Sequence, residues 1–351
     1  MDFNALKIFI PAATAFAVGI LCEPMFAHFL YKHRLWKKKG GKIALDGTVA
    51  KTFNALHTEK EVGTPRLGGV LVWGSVLASA AILALLAHFS SSQFLRGIAF
   101  VSRSQTWVPL AALIAGSLVG AIDDFFEIFG SKGLRLRTRL IFIASVATCC
   151  ALWFYVKLGV TAITIPFVVG PVALGILFIP VFVLVALSVY AGGVIDGIDG
   201  LAGGVFAAIF MAYAGIAFFE HQLDLAALCA AISGGLLAFL WFNIPPARFY
   251  LSETGTMGLT IALTNVAFLT DVLGGGRGLS ALPIVAILLV ATVFSDVAQI
   301  TSKKFLGHKL FRIAPLHHHF EAIGWPAYKV TMRYWIIGIV AAIIGMSYAI
   351  M

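Results

Sequence analysis

The sequence predicts an all-α integral membrane protein of about ten transmembrane helices, with both termini external and its functional residues on the cytoplasmic face. Three observations carry that expectation. Hydrophobic residues fill 60% of the 351 positions and charged residues only 12%, and the mean hydropathy is +0.97. A soluble core of this length cannot hide so much apolar surface, so lipid must face much of it. The apolar residues come in runs of about 20, the length a helix needs to cross the hydrocarbon core. The basic residues collect in alternate gaps between those runs, the pattern of a polytopic chain. One membrane domain, residues 1–351, accounts for the whole chain.

The first run, Ala5–Leu30, is too long for a signal-peptide core. Its basic cluster follows it, so it reads as a retained helix that starts outside. Further spans are expected at Leu67–Phe89, Trp107–Asp123, Thr138–Lys157, Val172–Ala191, Leu201–Phe219, Leu225–Phe242, Thr256–Leu273, Leu282–Lys303 and Met332–Ile350. The stretch Val160–Pro171 is apolar but short, β-branched and interrupted by proline, and reads as an interfacial loop or hairpin. Cys22, Cys149, Cys150 and Cys229 all lie inside apolar runs without metal-ligand spacing, and read as small buried hydrophobes.

Charge fixes the orientation. Of the 25 Lys and Arg residues, 20 fall in the gaps after the first, third, seventh and ninth spans, and only Lys7, Arg96, Arg103, Lys157 and Arg277 fall on the other side. The positive-inside rule makes the odd-numbered loops cytoplasmic. The net charge of +9 is therefore a topology signal that also attracts phosphates or anionic lipid, and it does not point to nucleic acid.

Acids inside a membrane protein need a reason, since one at the bilayer centre costs about 2.5–3.5 kcal/mol on insertion scales. Asp123 and Asp124 end the third span, Asp196 and Asp199 stand between the fifth and sixth, and Glu253 precedes the eighth. The topology puts all five on the cytoplasmic face, together with the loop Pro315–Pro326 that carries His317, His318 and His319. Each alone has a structural explanation: a solvated helix end, a close-packed glycine turn, a polar loop. Asp196 and Asp199 share a face if their turn is helical. Their convergence with Lys and Arg is the set that Mg²⁺-assisted phosphoryl transfer requires, with hard oxygen ligands for the metal and cations for the phosphate charge. Glu23 lies near the inner end of the first span, where a carboxylate can reach the interface, and Asp296 lies deeper, within the ninth.

Phe311-Arg-Ile-Ala-Pro-Leu-His-His-His-Phe-Glu321, followed by Gly324-Trp-Pro326, resembles the signature loop of the phospho-N-acetylmuramoyl-pentapeptide transferases. Gly63-Thr-Pro-Arg-Leu-Gly-Gly69 resembles that family's first cytoplasmic motif, and Gly120-Ala-Ile-Asp-Asp-Phe125 with Lys132-Gly-Leu134 its paired-aspartate motif. Asp196-Gly-Ile-Asp-Gly-Leu-Ala202 resembles the third motif, and Asn243, Pro246-Ala247 and Glu253-Thr-Gly-Thr256 the fourth. The likeness runs from about residue 57 to 335. The paired-aspartate and DGxDG motifs are shared with the wider polyprenyl-phosphate sugar-phosphate transferases, whereas the triple-histidine loop marks this branch.

The resemblance implies a ten-helix membrane enzyme that moves phospho-MurNAc-pentapeptide from UDP-MurNAc-pentapeptide to undecaprenyl phosphate, giving lipid I and UMP. It implies Mg²⁺ as cofactor, the bacterial inner membrane as location and a homodimer as assembly. By the same carry-over, Asp123 deprotonates or orients the lipid phosphate, with Asp124 beside it. Asp196, Gly197 and Asp199 face the nucleotide, with Asn243 and the ring of Tyr250 in the nucleoside pocket. His317, His318 and His319 line the phosphate site, Lys60, Lys132 and Gln299 border the substrate groove, and Glu253 holds the metal. Three positions depart from the family pattern: Glu253 stands for an Asp, Gly193 for an Asn, and Glu61 for a Lys that Lys60 or Arg66 replaces. Three alternatives remain, one of them an inactive relative that acts as a scaffold, against which the surviving acids speak. A sister enzyme using a UDP-N-acetylhexosamine is disfavoured by the triple histidine. A transporter would place its acids near the midplane, where only Asp296 lies.

Overall fold

The computed structural model describes residues 3–38, 40–41, 54, 62–102, 104–130, 133–166, 168, 170–272 and 276–351. Among them are thirteen helices and one two-stranded hairpin. The long apolar helices are α1 (Phe3–Lys32), α2 (Gly69–Phe89), α4 (Trp107–Phe129), α5 (Leu136–Lys157), α6 (Phe178–Gly192), α7 (Leu201–Phe219), α8 (Leu223–Asn243), α9 (Ser252–Val272) and α13 (Ala327–Ile350). Short helices α3 (Gln93–Ile98) and α12 (Leu316–Ala322) lie in connections, and α10 (Gly278–Val285) and α11 (Ile287–Leu306) form a bent pair. Nine helices among the described residues are long and apolar enough to cross a membrane, α6 being taken with the turns that flank it. The α10–α11 pair, bent by 64°, makes a tenth if counted as one span. The chain is a multi-pass membrane protein.

Nine of the ten expected spans appear, with shifted ends, and the one expected at Leu282–Lys303 is the bent α10–α11 pair. Helix α4 runs past Asp123 to Phe129, so the aspartate pair sits inside the helix. Helix α9 starts at Ser252, which puts Glu253 in its first turn. The stretch expected as a loop or hairpin is a hairpin, β1 (Ala162–Ile163) pairing antiparallel with β2 (Val172–Ala173). Asp271 at the end of α9 clasps it by accepting from Thr164 N (3.0 Å) and the Thr164 hydroxyl.

Helix α9 is the centre of the bundle. It packs along α4, and nearly all its residues are buried, including Thr260, Thr264, Asn265 and Thr270. Each of these four side chains donates to the carbonyl one turn back, which pairs the three threonine hydroxyls and the Asn265 amide nitrogen without leaving the helix. Around α9 the other helices turn apolar faces outward: Ile336, Ile337, Val340, Ile343 and Ile344 of α13 are all at least half exposed. Cys150 and Cys229 are buried, as expected for small hydrophobes, but Cys22 and Cys149 lie on exposed helix faces. Nothing in sequence pattern separates the two faces of an all-apolar helix.

The close approach of α4 to α9 is set by small residues. Gly116 and Gly120, one turn apart, face the α9 backbone; a Cβ on Gly120 would collide with the Glu253 carbonyl. The next turn of α4 carries Asp123 and Asp124, which this contact delivers to the first turn of α9. Phe3 and Met351 lie at the opposite end of the bundle. Phe3 packs edge-on to Phe94, and Met351 borders the same cavity as Glu220 and Arg277.

Candidate functional site

Asp124 is fully buried and surrounded by donors. Its Oδ2 accepts from Ser252 Oγ at 2.7 Å, from Thr254 N at 2.9 Å and from the Thr254 hydroxyl, while Oδ1 faces Arg66 at 3.3 Å. The Thr254 amide is one of the unpaired N–H groups that begin a helix, so Asp124 caps α9 from a neighbouring helix. Arg66 also pairs with Glu127 of α4, whose other oxygen takes Lys37 at 2.9 Å. Asp123, one residue earlier, points elsewhere. Its Oδ1 accepts from Leu134 N, and its Oδ2 meets Arg139 at 2.8 Å. The same guanidinium reaches Glu253 Oε1 at 2.6 Å. Two carboxylates from two helices thus converge on one cation.

Asp196 and Asp199 do not share a helical face. A 3-10 turn, Gly193–Ile195, ends α6, and the chain then reverses before α7, with Gly200 at φ +76° in the left-handed region that glycine enters without steric cost. This turn aims the two acids at the middle and the far end of one loop, residues 244–251 between α8 and α9. Asp196 Oδ2 accepts from Ser252 N at 2.8 Å, and Asp199 Oδ2 from Ala247 N at 3.2 Å. Asn243 spans between: its Oδ1 accepts from Gly200 N at 2.9 Å and its Nδ2 donates to Phe249 O at 2.8 Å. The first motif ties down the far side of the loop, through Tyr250 N to Pro65 O, Gly68 N to Tyr250 O and Gly69 N to Leu251 O, at 2.8–3.0 Å. Leu67 and Ser252 both adopt left-handed backbone, at φ +71° and +55°, and Leu67 N donates to Ser252 Oγ. Such residues cost of order 1–3 kcal/mol each and persist where their surroundings over-determine them, as this ladder does.

The histidine loop closes the site. Leu316 N donates to Ser295 Oγ (3.0 Å), and Gln299 accepts from Leu310 N and Phe311 N while donating to Phe311 O. Gln299 therefore anchors the loop to α11. His317 and His318 are buried, and their Nε2 atoms come so close to Gly197 that a Cβ there would meet both at 2.6 Å. His318 Nδ1 is paired with Glu321 at 2.8 Å. His319 is directed into its own loop, where its Nδ1 accepts from Arg312 N at 3.2 Å. Of the three histidines, the fold brings two to the aspartate turn.

Asp123, Asp124, Asp196, Gly197, Asp199, Asn243, Glu253, His317 and His318 are thus gathered at one end of the bundle, with Tyr250 half-buried on the same loop. Lys60, Glu61 and Lys132 lie outside the described residues. Asp296 is half-buried on α11. Sequence reading passed over Arg139, Ser252, Ser295, Glu127 and Glu321. Only Glu321 had a local signal, three residues after His318 on one helix. Glu23 is itself buried, 1% exposed, and ion-paired with the half-exposed Arg248 at 2.9 Å.

Among the described residues no group of three or more His, Cys, Asp or Glu is arranged to hold a metal ion. A Mg²⁺ site needs no such cage, since Mg²⁺ is commonly held by one or two carboxylates with water and substrate phosphate. Asp123 and Glu253, hard oxygen donors already collected around one positive charge, fit that description.

Residues 106–271 match the family model described as Glycosyl transferase family 4. Phospho-N-acetylmuramoyl-pentapeptide-transferase of Caldanaerobacter subterraneus subsp. tengcongensis is 31% identical over 97% of this chain and 98% of its own length. The Listeria monocytogenes protein of the same name is 32% identical over 96% of this chain and 97% of its own. That of Chloroflexus aggregans is 32% identical over 97% and 88%. The chain belongs to the phospho-N-acetylmuramoyl-pentapeptide-transferase family. Within this transferase family its departures have visible settings. The Glu253 carboxylate crosses to Arg139 of α5. Gly193 packs on α9, where a Cβ would sit 3.3 Å from that of Thr256, tighter than ordinary contact. A larger residue there would need α6 and α9 to separate slightly.

Proposed function

We propose that the protein transfers phospho-MurNAc-pentapeptide from UDP-MurNAc-pentapeptide to undecaprenyl phosphate at the cytoplasmic face of the bacterial inner membrane, yielding lipid I and UMP. The observation that carries this is the meeting, at one end of a membrane bundle, of the Asp123–Arg139–Glu253 cluster, the Asp196–Asp199 turn and the His317–His318 pair. One substrate is a soluble nucleotide and the other a lipid phosphate, so chemistry at a membrane surface is required of any such enzyme. One phosphoanhydride is exchanged for another, and no further energy source is needed.

Roles follow from position. Asp123, its charge shared with Arg139, orients or deprotonates the attacking lipid phosphate. Asp124, committed to capping α9, positions Glu253 and Ser252. Asp196, Asp199 and Asn243 hold the 244–251 loop, which presents Tyr250 to the uracil. His317 and His318 turn Nε2 to the phosphates across Gly197; His318, whose Nδ1 proton goes to Glu321, donates there as the imidazolium. Glu253 and Asp123 would hold Mg²⁺, which when bound neutralises phosphate charge in the transition state. Lys60 and Lys132 add cations at the groove, membrane lipid solvates the acceptor's chain, and two copies form a homodimer.

The test is UMP release by purified protein given undecaprenyl phosphate, Mg²⁺ and either UDP-MurNAc-pentapeptide or UDP-N-acetylglucosamine. Release from the muramoyl donor alone is expected. Release from the N-acetylglucosamine donor alone would move the protein to the sister activity, and release from neither by folded protein would overturn the reading.

A further inference from the structure

Every anchor of the 244–251 loop described so far comes from a recognised motif, except one. Arg248, at the middle of that loop and 49% exposed, sends its guanidinium to Glu23 of α1, with contacts of 2.9 and 3.1 Å to the two carboxylate oxygens. Tyr31, two turns further along α1, donates its hydroxyl to the Arg248 carbonyl at 2.9 Å. Helix α1 therefore grips one loop residue by side chain and by backbone. The rest of α1 explains why Glu23 is in reach. Gly19, Glu23, Ala27 and Leu30 form its buried stripe, and Gly19 lets α1 close on Ala238 of α8. One turn beyond that contact stands Glu23, beside the end of α8 where the loop begins.

A carboxylate buried this deeply in an apolar helix is costly unless it is paired. Its one cationic contact among the described residues is to the loop opposite Asp199 and Asn243. Arg248 N bonds Phe242 O at 2.8 Å and Ala247 N bonds Asp199, so the Arg248 backbone is fixed on both sides of the pair. Phe249, the next residue, is wholly buried against Phe26 of α1 as well as Phe239 and Phe242 of α8. The following residue is Tyr250.

We propose that Glu23, through its ion pair with Arg248, is a positioning residue that sets the shape of the nucleotide-binding loop and so the affinity for the uridine donor. This rests on the proposed function, in which that loop meets the nucleoside. Neither side chain touches the reacting phosphates. Loss of the pair loosens donor binding and leaves the chemical step alone.

Glu23→Gln and Arg248→Gln, each in the full-length protein, are assayed for KM of UDP-MurNAc-pentapeptide, KM of undecaprenyl phosphate and kcat, with direct UMP binding measured in parallel. Each is expected to raise the donor KM and the UMP dissociation constant about tenfold, the scale of one charged hydrogen bond. The acceptor KM and kcat should stay within about twofold. The double variant should be no worse than either single one, and the exchanged pair Glu23→Arg with Arg248→Glu should recover part of the donor affinity. A donor KM and UMP affinity equal to wild type in folded variants overturns the proposal, as does an equal rise in both KM values. If Glu23→Gln does not fold, Arg248→Gln, altering a half-exposed side chain, decides alone. Wild-type protein that neither turns over the muramoyl donor nor binds UMP identifies the failure as that of the functional reading.

Discussion

Replacing Arg139 with glutamine removes the cation that bridges Asp123 and Glu253. The Asp123 side chain is fully buried, and those of Arg139 and Glu253 are 20% and 26% exposed. Removing one partner of a buried pair costs about 3–5 kcal/mol, because the remaining charge is left uncompensated. Here two carboxylates lose their partner at once, with Glu253 relieved in part by its access to water, so a loss near the upper end of that range is expected. The same vacancy favours Mg²⁺. In the wild type a metal ion must displace or share with the guanidinium, whereas in Arg139→Gln it meets two open carboxylates. Saturation at about a hundred times its Kd returns about 2.7 kcal/mol, so Mg²⁺ should recover roughly half the lost stability in the variant and much less in the parent. Thermal unfolding in detergent, with and without Mg²⁺ and with no substrate present, reads both effects without depending on turnover. A variant that melts with the wild type, or one whose response to Mg²⁺ is the same as the parent's, would refute the assignment of these carboxylates to the metal.

Glu253→Gln should raise the Mg²⁺ concentration for half-maximal activity by about 10- to 100-fold or more, the scale seen for disturbed metal sites; unchanged activity at limiting Mg²⁺ removes Glu253 from the site. His318→Ala should lower kcat about 100-fold, as loss of one preorganised donor does, while melting stays near wild type; full activity would leave the loop a structural role. Glu220 lies in the turn after α7, outside the spans, where burial first and Asp271 second push its carboxyl up to about 8 from an ordinary 4.5. The folded state therefore binds this proton more tightly than the unfolded one. The stability it contributes is complete below the ordinary value and is lost as pH rises through about 8. Unfolding followed from about pH 5 to about pH 9 should show that decline in the wild type and a flatter profile in Glu220→Gln; equal slopes would count against it.

The sequence made the spans legible because hydropathy is a local property, and the gathering of acids legible because charge bias orders the loops. Asp123, Glu253 and His318 could be picked out by being polar where polarity is costly. What stayed hidden depended on pairing across the chain. Arg139 looked like one more basic residue beside a span, and only the fold shows it between Asp123 and Glu253, 114 positions apart from the latter. Asp196 and Asp199 suggested a shared helical face, but Gly200 turns the chain and sends them to separate backbone amides. Asp124 looked like a twin of Asp123, yet its environment is a helix cap. Glu23 looked like a carboxylate at an interface because its partner, Arg248, lies 225 residues away.

Helix α9 has the lowest mean hydropathy of the nine spans, 1.2 against 2.0 or more for most others. Its side chains make sense only once α4 and its other neighbours enclose it. While the chain is being synthesised, however, each segment meets lipid before its later neighbours exist. A helix carrying Thr254, Thr256, Thr260, Thr264, Asn265, Thr270 and Asp271 gains little by entering hydrocarbon alone. Its retention in the bilayer depends on helices already delivered, above all α4 and α6. The residue pattern that supports the site from below thereby imposes an order of assembly, in which the centre of the enzyme is the segment least able to insert without companions.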